Sequence, residues 1–369
     1  MKVLITSDSF KGSYSSFEVN QMILDNLKER FFKWDFLSEE ISDGGEGWSA
    51  IIQKKLQLKA YLTFTIDPIG RPIEGSWLWD STQKTAYIEM AVASGLTLLS
   101  SQERNPWKAS SFGTGILINE ALKKDAAKIV LGLGGTATND AGAGILESLG
   151  VDFFDHKGQL IKNITPEKFQ EIQYIHSNLH YSHTSFELAT DVKNPLLGKS
   201  GATYIFAAQK GANKSDLESL EIEMEYILSK YQSLQSNLDA TLPGMGAAGG
   251  VAAGIATIFP CTFTTGFDVI ANLTDIEKKI IDADIIITGE GKTDASSLLG
   301  KAPVRIAQLA KKYNKKTVLI SGSVDTMLYS QLHSLFDIII PLKKSNQLIE
   351  DTISNTPLRI QEYLQKISL

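Results

Sequence analysis

The sequence predicts an α/β protein of two domains with mainly parallel strands, and three observations point there. Its 369 residues exceed what one hydrophobic core usually supports. Short apolar runs of β type alternate with segments of helical periodicity, the pattern of βαβ units. Most apolar runs give way near their carboxyl ends to glycine, serine or an acid, where ligands of open α/β sheets bind.

In chain order, "KVLIT" (2 to 6) reads as the first strand. "SSFEVNQMILDNLKERF" carries Val19, Ile23 and Leu27 on one face, which predicts a helix capped by Ser15 or Ser16. Buried strands are then expected at 86–91, 127–135, 186–192, 283–291, 316–323 and 336–342. "TPEKFQEI" and residues 213–238 read as helices, the second amphipathic with a solvated charged face. No fixed-period repeat or low-complexity linker marks a domain boundary.

Apolar residues make up 43% and charged residues 21%, with a formal net charge of -6. That balance offers no global basic field to nucleic acid or an acidic membrane, whereas a small anion needs only a few lysines and backbone N–H groups. The single cysteine, Cys261 in "IFPCTF", excludes an intrachain disulfide framework and a multi-cysteine zinc site. It reads as a buried, inert thiol in a reducing compartment. The start "MKVLITSDSFKGS" has no signal-type apolar region, so the cytoplasm is the expected location. Residues 240–267 are uncharged and long enough to cross a bilayer, but two prolines, many glycines and the lack of a basic anchor argue against a span.

Five segments concentrate glycine with acids, lysine or hydroxyls. They are "SDSFKGS" with Asp8, Ser9, Lys11 and Ser13; "SDGGEGW" with Asp43 and Glu46; and "GLGGTATNDAGAG" at 132–144. "ATDVKNPLLGKSGA" around Asp191 and "ITGEGKTDASSLLGKAP" at 287–303 complete the set. The Gly-Lys-Thr of the last segment is not a P-loop, because Ile286 stands five positions before Gly291 and Ala295 five before Gly300. Glycines at strand ends let backbone amides approach an anion closely. Acids among them make sense if a divalent cation lies between carboxylate and phosphate, as in metal-assisted phosphoryl transfer. Taken singly, each loop also reads as a turn and each acid as a cap.

Two rival patterns are present. Gly132-x-Gly134-x-x-Ala137, with Asp152 or Asp155 further on, matches the alanine form of the dinucleotide fingerprint and would suit an NAD-dependent oxidoreductase. His176, His180 and His183 would share a face if helical, although the short stretch reads as a polar connector.

Read in order, "DSFKGS", "DGGEG" (43–47), "IEMAVASGL" (88–96), "FGTG" (112–115), "GLGGTATNDAGAG", "ATDVKNPLLGKSGA", "QKGA" (209–212), "PGMGAAGG" (243–250) and "TGEGKTDASSLLGKAP" resemble one family. These stretches are similar to the bacterial glycerate kinases, which phosphorylate D-glycerate with ATP. The resemblance runs from about residue 3 to residue 310. It departs at Lys292, where the family more often has arginine, at Ser296 and Ser297 (glutamine-threonine), and at Ala207 and Ala208 (glycine-proline).

The resemblance implies a Rossmann-like or flavodoxin-like domain built from both chain ends, 1–92 plus 282–369. A second α/β domain, 93–281, would be inserted in it, with the active site in the cleft between. It implies MgATP as phosphoryl donor and the 2-hydroxyl of D-glycerate as acceptor, giving ADP and 2-phosphoglycerate. A 3-phosphoglycerate-forming kinase, an NAD-dependent oxidoreductase and a non-catalytic metabolite-binding protein are the alternatives. In this scheme Gly132, Gly134, Gly135, Thr136, Asn139 and Asp140 hold the nucleotide, and Asp191, Lys11 and Asp294 are catalytic. Ser9, Asp43, Lys292 and Lys301 bind glycerate, and Asp191 and Asp43 are the Mg²⁺ ligands. The expected partners are these small molecules, with a homodimer left open.

Overall fold

The computed structural model describes residues 1–10, 13–44, 47–177, 179, 183–343 and 354–367. The chain divides into two compact units, Met1–Lys55 with Gly266–Leu369, and Leu56–Thr265. In chain order the strands are β1 (Lys2–Ile5), β2 (Asp35–Ser38), β3 (Lys59–Ile66), β4 (Pro72–Asp80), β5 (Thr85–Glu89), β6 (Lys128–Gly132) and β7 (Asp152–Phe154). They continue as β8 (Leu160–Ile161), β9 (Tyr174–His176), β10 (Ser185–Ala189), β11 (Cys261–Thr264), β12 (Ile285–Thr293), β13 (Lys316–Val324) and β14 (Ile338–Pro341).

In the first unit the sheet order is β14-β13-β12-β1-β2, parallel throughout. Counted within the unit this is 2-1-3-4-5, the flavodoxin-type order, and the direction of winding reverses between β1 and β12. The strands are near-continuous apolar runs because both faces are covered. Val3, Ile5, Ile285, Ile287, Val318 and Ile320 pack with Val19, Ile23 and Leu27 of the helix Ser16–Arg30 and with Ile360 and Leu364 of Thr356–Leu364. Leu319 points the other way, against Ala307, Leu332 and Phe336. Of the two candidate caps, Ser15 is the one used: its side chain accepts from Glu18 N while Glu18 reaches back to Ser15 N at 2.8 Å, a capping box.

The second unit holds a sheet of order β11-β10-β6-β5-β4-β3, in which β5, β6, β10 and β11 run parallel and β3 and β4 antiparallel. A small sheet, β8-β7-β9, flanks it in sequence. Ile88, Ile129, Leu131, Phe186 and Leu188 form its core with Leu117 and Ile118 of Phe112–Lys123, Ile145 of Ala143–Ser148 and Ile227 of Asp216–Leu234.

The expected boundaries near 92 and 281 differ from this division. β4 pairs with β5 (Leu78↔Tyr87) and β5 with β6 (Ile88↔Leu131), so ladder hydrogen bonds commit residues 59–89 to the second unit. The helices Gly266–Thr274 and Ile276–Asp282 belong to the first. An apolar strand does not announce which sheet it will join; its partner decides. "TPEKFQEI" forms the 3₁₀ helix Pro166–Glu171. Residues 240–267 contain the eight-residue helix Val251–Ile258 and β11, and among the described residues no helix is long and apolar enough to cross a membrane.

Candidate active site

In the first unit, the segment after β1 runs out at the reversal point of the sheet. Ser7 N donates to Asn20 Oδ1 at 2.8 Å, Ser16 Oγ donates to Ser7 O at 2.6 Å, and Asp8 N donates to Gly289 O at 2.8 Å. Ser9 N donates to Asp8 Oδ1 at 2.7 Å. This fastens the backbone but leaves Thr6 Oγ1, Ser7 Oγ, Ser9 Oγ and Thr288 Oγ1 buried with no hydrogen-bond partner among the described residues. Each such hydroxyl costs about 1–3 kcal/mol, so their clustering where β1 ends beside the middle of β12 marks a place that favours polar ligand atoms. Ser9 also lines a 620 Å³ cavity with Phe10, Ser13, Tyr14, Glu18 and Ile51. Gly289 is required there, since a Cβ would fall 2.2 Å from Ile320 O.

At the end of β12, Glu290 is 5% exposed and accepts from Thr293 Oγ1 at 3.0 Å, with Lys301 Nζ 3.6 Å from Oε2. Burial pushes its carboxyl above the ordinary range, against the opposing pull of Lys301. Asp294 behaves differently. Ser296 Oγ at 2.5 Å, together with Ser296 N at 3.0 Å and Lys292 Nζ at 3.2 Å, holds its carboxyl down to about 2. Asp294 is therefore a fixed negative charge and a poor proton acceptor, whereas Glu290 is the more basic of the two. Lys301 is the N-cap of the helix Ala302–Lys312. Asp43 is half-buried and follows Ser42, whose Oγ accepts from Gly44 N at 3.1 Å. Lys11 lies outside the described residues, as do Glu46 and His180.

In the second unit, Gly132 at the end of β6 stands in register with Glu89 of β5 and Ala189 of β10. The glycine loop thus starts between Glu89 and the Thr190–Asp191 that follows β10. Gly134 and Gly135 are exposed, the latter at φ +69° in the left-handed region. Leu96 N donates to Gly135 O at 2.8 Å and Ala137 N to Ser94 O at 2.9 Å, pinning the loop on both sides of a buried Thr136.

Below that turn the polar residues face inward. Asp140 is fully buried: Oδ2 accepts from Ser111 N and Ser111 Oγ, each at 2.7 Å, and from Gly144 N at 3.3 Å, while Oδ1 accepts from Gly142 N at 3.3 Å. Burial still raises its pKa above the ordinary value. Asn139 Nδ2 donates to Thr203 Oγ1 at 3.4 Å, and both Asn139 Oδ1 and Thr138 Oγ1 are buried with no partner among the described residues. Lys210 Nζ donates to Thr138 O at 2.6 Å. The structure therefore brings Gly132, Gly134, Gly135 and Thr136 to one strand edge with Asp191, and sets Asn139 and Asp140 underneath.

The dinucleotide reading fails on this geometry. Its fingerprint needs a helix opening within the glycine motif, yet residues 137–142 are not helical and the helix begins at Ala143. Of the histidines described, His176 lies in strand β9 and not in a helix, and His183 sits 3.8 Å from Asp125. Cys261 opens β11 with its thiol pushed up to about 12 by burial, as an inert cysteine would be.

The sequence model of the glycerate kinase family matches residues 3–368. The chain belongs to the glycerate kinase family. A Bacillus cereus protein named glycerate kinase is 35% identical over 357 residues, covering 95% of this chain and 93% of that one. An Escherichia coli protein named glycerate 2-kinase is 36% identical over 330 residues, 88% of this chain and 86% of its own. A solved structure from Salmonella typhimurium LT2, described provisionally as glycerate kinase 2, matches with a TM-score of 0.83 at 30% identity, covering 99% and 96% of the two chains. Membership makes this chain a kinase, for which ATP is the implied phosphate donor.

Sequence reasoning gave no part to Glu290, Ser111 or Lys210. Glu290 was visible as an acid at the end of a buried strand. Ser111 had no signal, because a serine that braces an aspartate 29 positions away looks like any other. Lys210 stood in the motif "QKGA", where a lysine before a glycine reads as a surface turn; Gly211 does turn there at φ +100°.

Proposed function

We propose that this glycerate kinase transfers the γ-phosphoryl group of ATP to the 2-hydroxyl of D-glycerate, giving ADP and 2-phosphoglycerate. The observation that carries this reading is the exposed Gly134–Gly135 turn at the strand edge it shares with Asp191, inside a chain matched to the family over nearly its whole length. The 36% identity to a protein named glycerate 2-kinase favours the 2-position.

The nucleotide is assigned to the second unit, where Gly132, Gly134, Gly135 and Thr136 offer backbone amides to phosphate, with Asn139 and Asp140 shaping the loop from beneath. Glycerate is assigned to the first unit. Lys292 and Lys301 would face its carboxylate, and Ser9 and Asp43 its hydroxyls, with Lys11 and Asp294 adding charge around the reacting group. Among the described residues no three Asp, Glu, His or Cys side chains group as a metal cage. Mg²⁺ fits the site nonetheless, because it is ordinarily held by one or two carboxylates and the phosphates themselves. Asp191 would supply the carboxylate, with Asp43 the second candidate, and the ion would neutralise charge on the transferred group. As glycerate oxygen bonds to phosphorus, the bond from phosphorus to the leaving ADP oxygen breaks and the hydroxyl proton passes to a carboxylate, for which Asp191 is our first choice.

One coupled assay tests this reading: ADP release from MgATP with and without D-glycerate, with enolase added to detect 2-phosphoglycerate directly. Glycerate-dependent ADP release with an enolase signal is expected. ADP release at background, with or without glycerate, would remove the kinase reading. An enolase signal only after phosphoglycerate mutase is supplied would move the phosphoryl group to the 3-position.

A further inference from the structure

We propose that Lys210 is the buried counter-charge of the nucleotide loop, a positioning residue that grips the loop at Thr138 and favours phosphate above it without touching the nucleotide. The inference rests on the assignment of the nucleotide to this loop. Lys210 is 2% exposed, and its Nζ donates to Thr138 O at 2.6 Å, three residues beyond the exposed Gly135. It ends the 3₁₀ helix Ala208–Lys210 and is held in place by the next residue: Gly211 is at φ +100°, where a Cβ would fall 2.1 Å from Arg104 O. The lysine therefore has little room to swing out toward solvent.

Asp140 in the loop is the charged group that acts on it; Asp140 acts also on Tyr231 of the helix Asp216–Leu234, which carries the buried Glu221, and Arg104 O lies against Gly211. Asp140 attracts the ammonium, but its own oxygens are already occupied by Ser111, Gly142 and Gly144. Tyr231 donates its hydroxyl to Ala141 O at 3.2 Å, and Glu221 accepts from Gly198 N at 2.5 Å. A neutral donor would satisfy the Thr138 carbonyl equally well. A lysine in this position carries a desolvation penalty, and an anionic ligand above the loop is what would offset it. Burial pushes the Lys210 pKa down to about 8, so the charge is present at neutral pH and fades just above it.

The test is calorimetric binding of MgADP at pH 7.0 and pH 9.5 to the wild-type chain, Lys210→Met and Lys210→Arg, with thermal melts to verify folding. At pH 7.0 Lys210→Met is expected to bind about tenfold more weakly than wild type, a size set by one charge acting through partly shielded protein. At pH 9.5 the two should converge, because wild type has lost the same charge. Lys210→Arg keeps its charge over this range and should lose the alkaline fall. An equal Met-to-wild-type ratio at both pH values would show that the lysine is only a brace and overturn the proposal. So would the same alkaline fall in the arginine variant, which decides the matter even if the methionine variant does not fold. Wild type that binds no MgADP at pH 7.0 would overturn the nucleotide assignment and this proposal with it, whereas intact wild-type binding with a pH-independent ratio overturns this proposal alone.

Discussion

Replacing Gly249 by alanine isolates how much the seat of the glycine loop matters to ATP use. Gly249 is at φ +70°, and a Cβ built on it would fall 2.2 Å from Thr138 O and 2.6 Å from Asn139 Cα. Both neighbours are backbone, so no side chain can turn aside; relieving the overlap means moving the Thr138–Asn139 segment by about 1 Å. The left-handed conformation adds about 1–2 kcal/mol of strain for any residue with a Cβ. Gly150 supplies the control: it is at φ +95° with nothing within 4 Å of an added Cβ, so Gly150→Ala meets the strain without the collision. Gly150→Ala should lower the unfolding free energy by about 1–2 kcal/mol in urea and leave ATP kinetics within about twofold of wild type. Gly249→Ala should show at least that destabilisation together with a fall of about 100-fold in kcat/KM for ATP, the usual consequence of a 1 Å misplacement near the reacting groups. Steady-state ADP release at saturating glycerate with ATP varied, beside urea denaturation of both variants, gives the comparison. ATP kinetics in Gly249→Ala no worse than in Gly150→Ala would refute the claim that this loop holds the nucleotide.

Further outcomes follow from the same geometry. Asp191→Asn should lower turnover by about 10²–10⁴ with an unchanged circular dichroism spectrum, and near-normal turnover would take Asp191 out of the reaction. Asp140→Ala leaves Ser111 N, Ser111 Oγ, Gly142 N and Gly144 N without their buried acceptor, so a loss of about 3–5 kcal/mol in urea is expected; under about 1 kcal/mol would show that the network relaxes. Asp140→Asn should be milder, since an amide oxygen can keep most of these donors.

Four of the five strands of the first unit were legible because buried parallel strands are written as unbroken runs such as "KVLIT" and "ADIIIT"; the fifth, β2, is a short edge strand with mostly exposed side chains and carries no such run. β3 and β4 were not legible, because the alternation of β3 is inverted, with Leu62 and Phe64 exposed and Thr65 buried, so it does not read as a strand with an apolar inner face. That gap displaced the domain boundary. The motifs located the loops correctly, but which side chains look outward was invisible: Asp140 and Asn139 read as ligand-facing acid and amide, while the backbone turn at Ala141 and Gly142 directs them inward. Asp294 and Glu290 are four residues apart with the same chemistry, and what separates them is that Asp294 accepts from the neighbouring Ser296 while Glu290 is raised by burial, which only the folded chain shows.

The first sheet has a consequence for how the polypeptide matures. Lys2 N donates to Asp284 Oδ2 across 282 residues, and β1 pairs with β12, so β1 lacks this neighbour until the chain has emerged from the ribosome as far as Thr293. At roughly 5–20 residues per second, that is a wait of roughly 15–55 s. The inserted unit is contiguous and can finish folding meanwhile, while the apolar face of Ser16–Arg30 stays uncovered. Chaperone engagement during synthesis should concentrate on the amino-terminal segment and end once β12 is released.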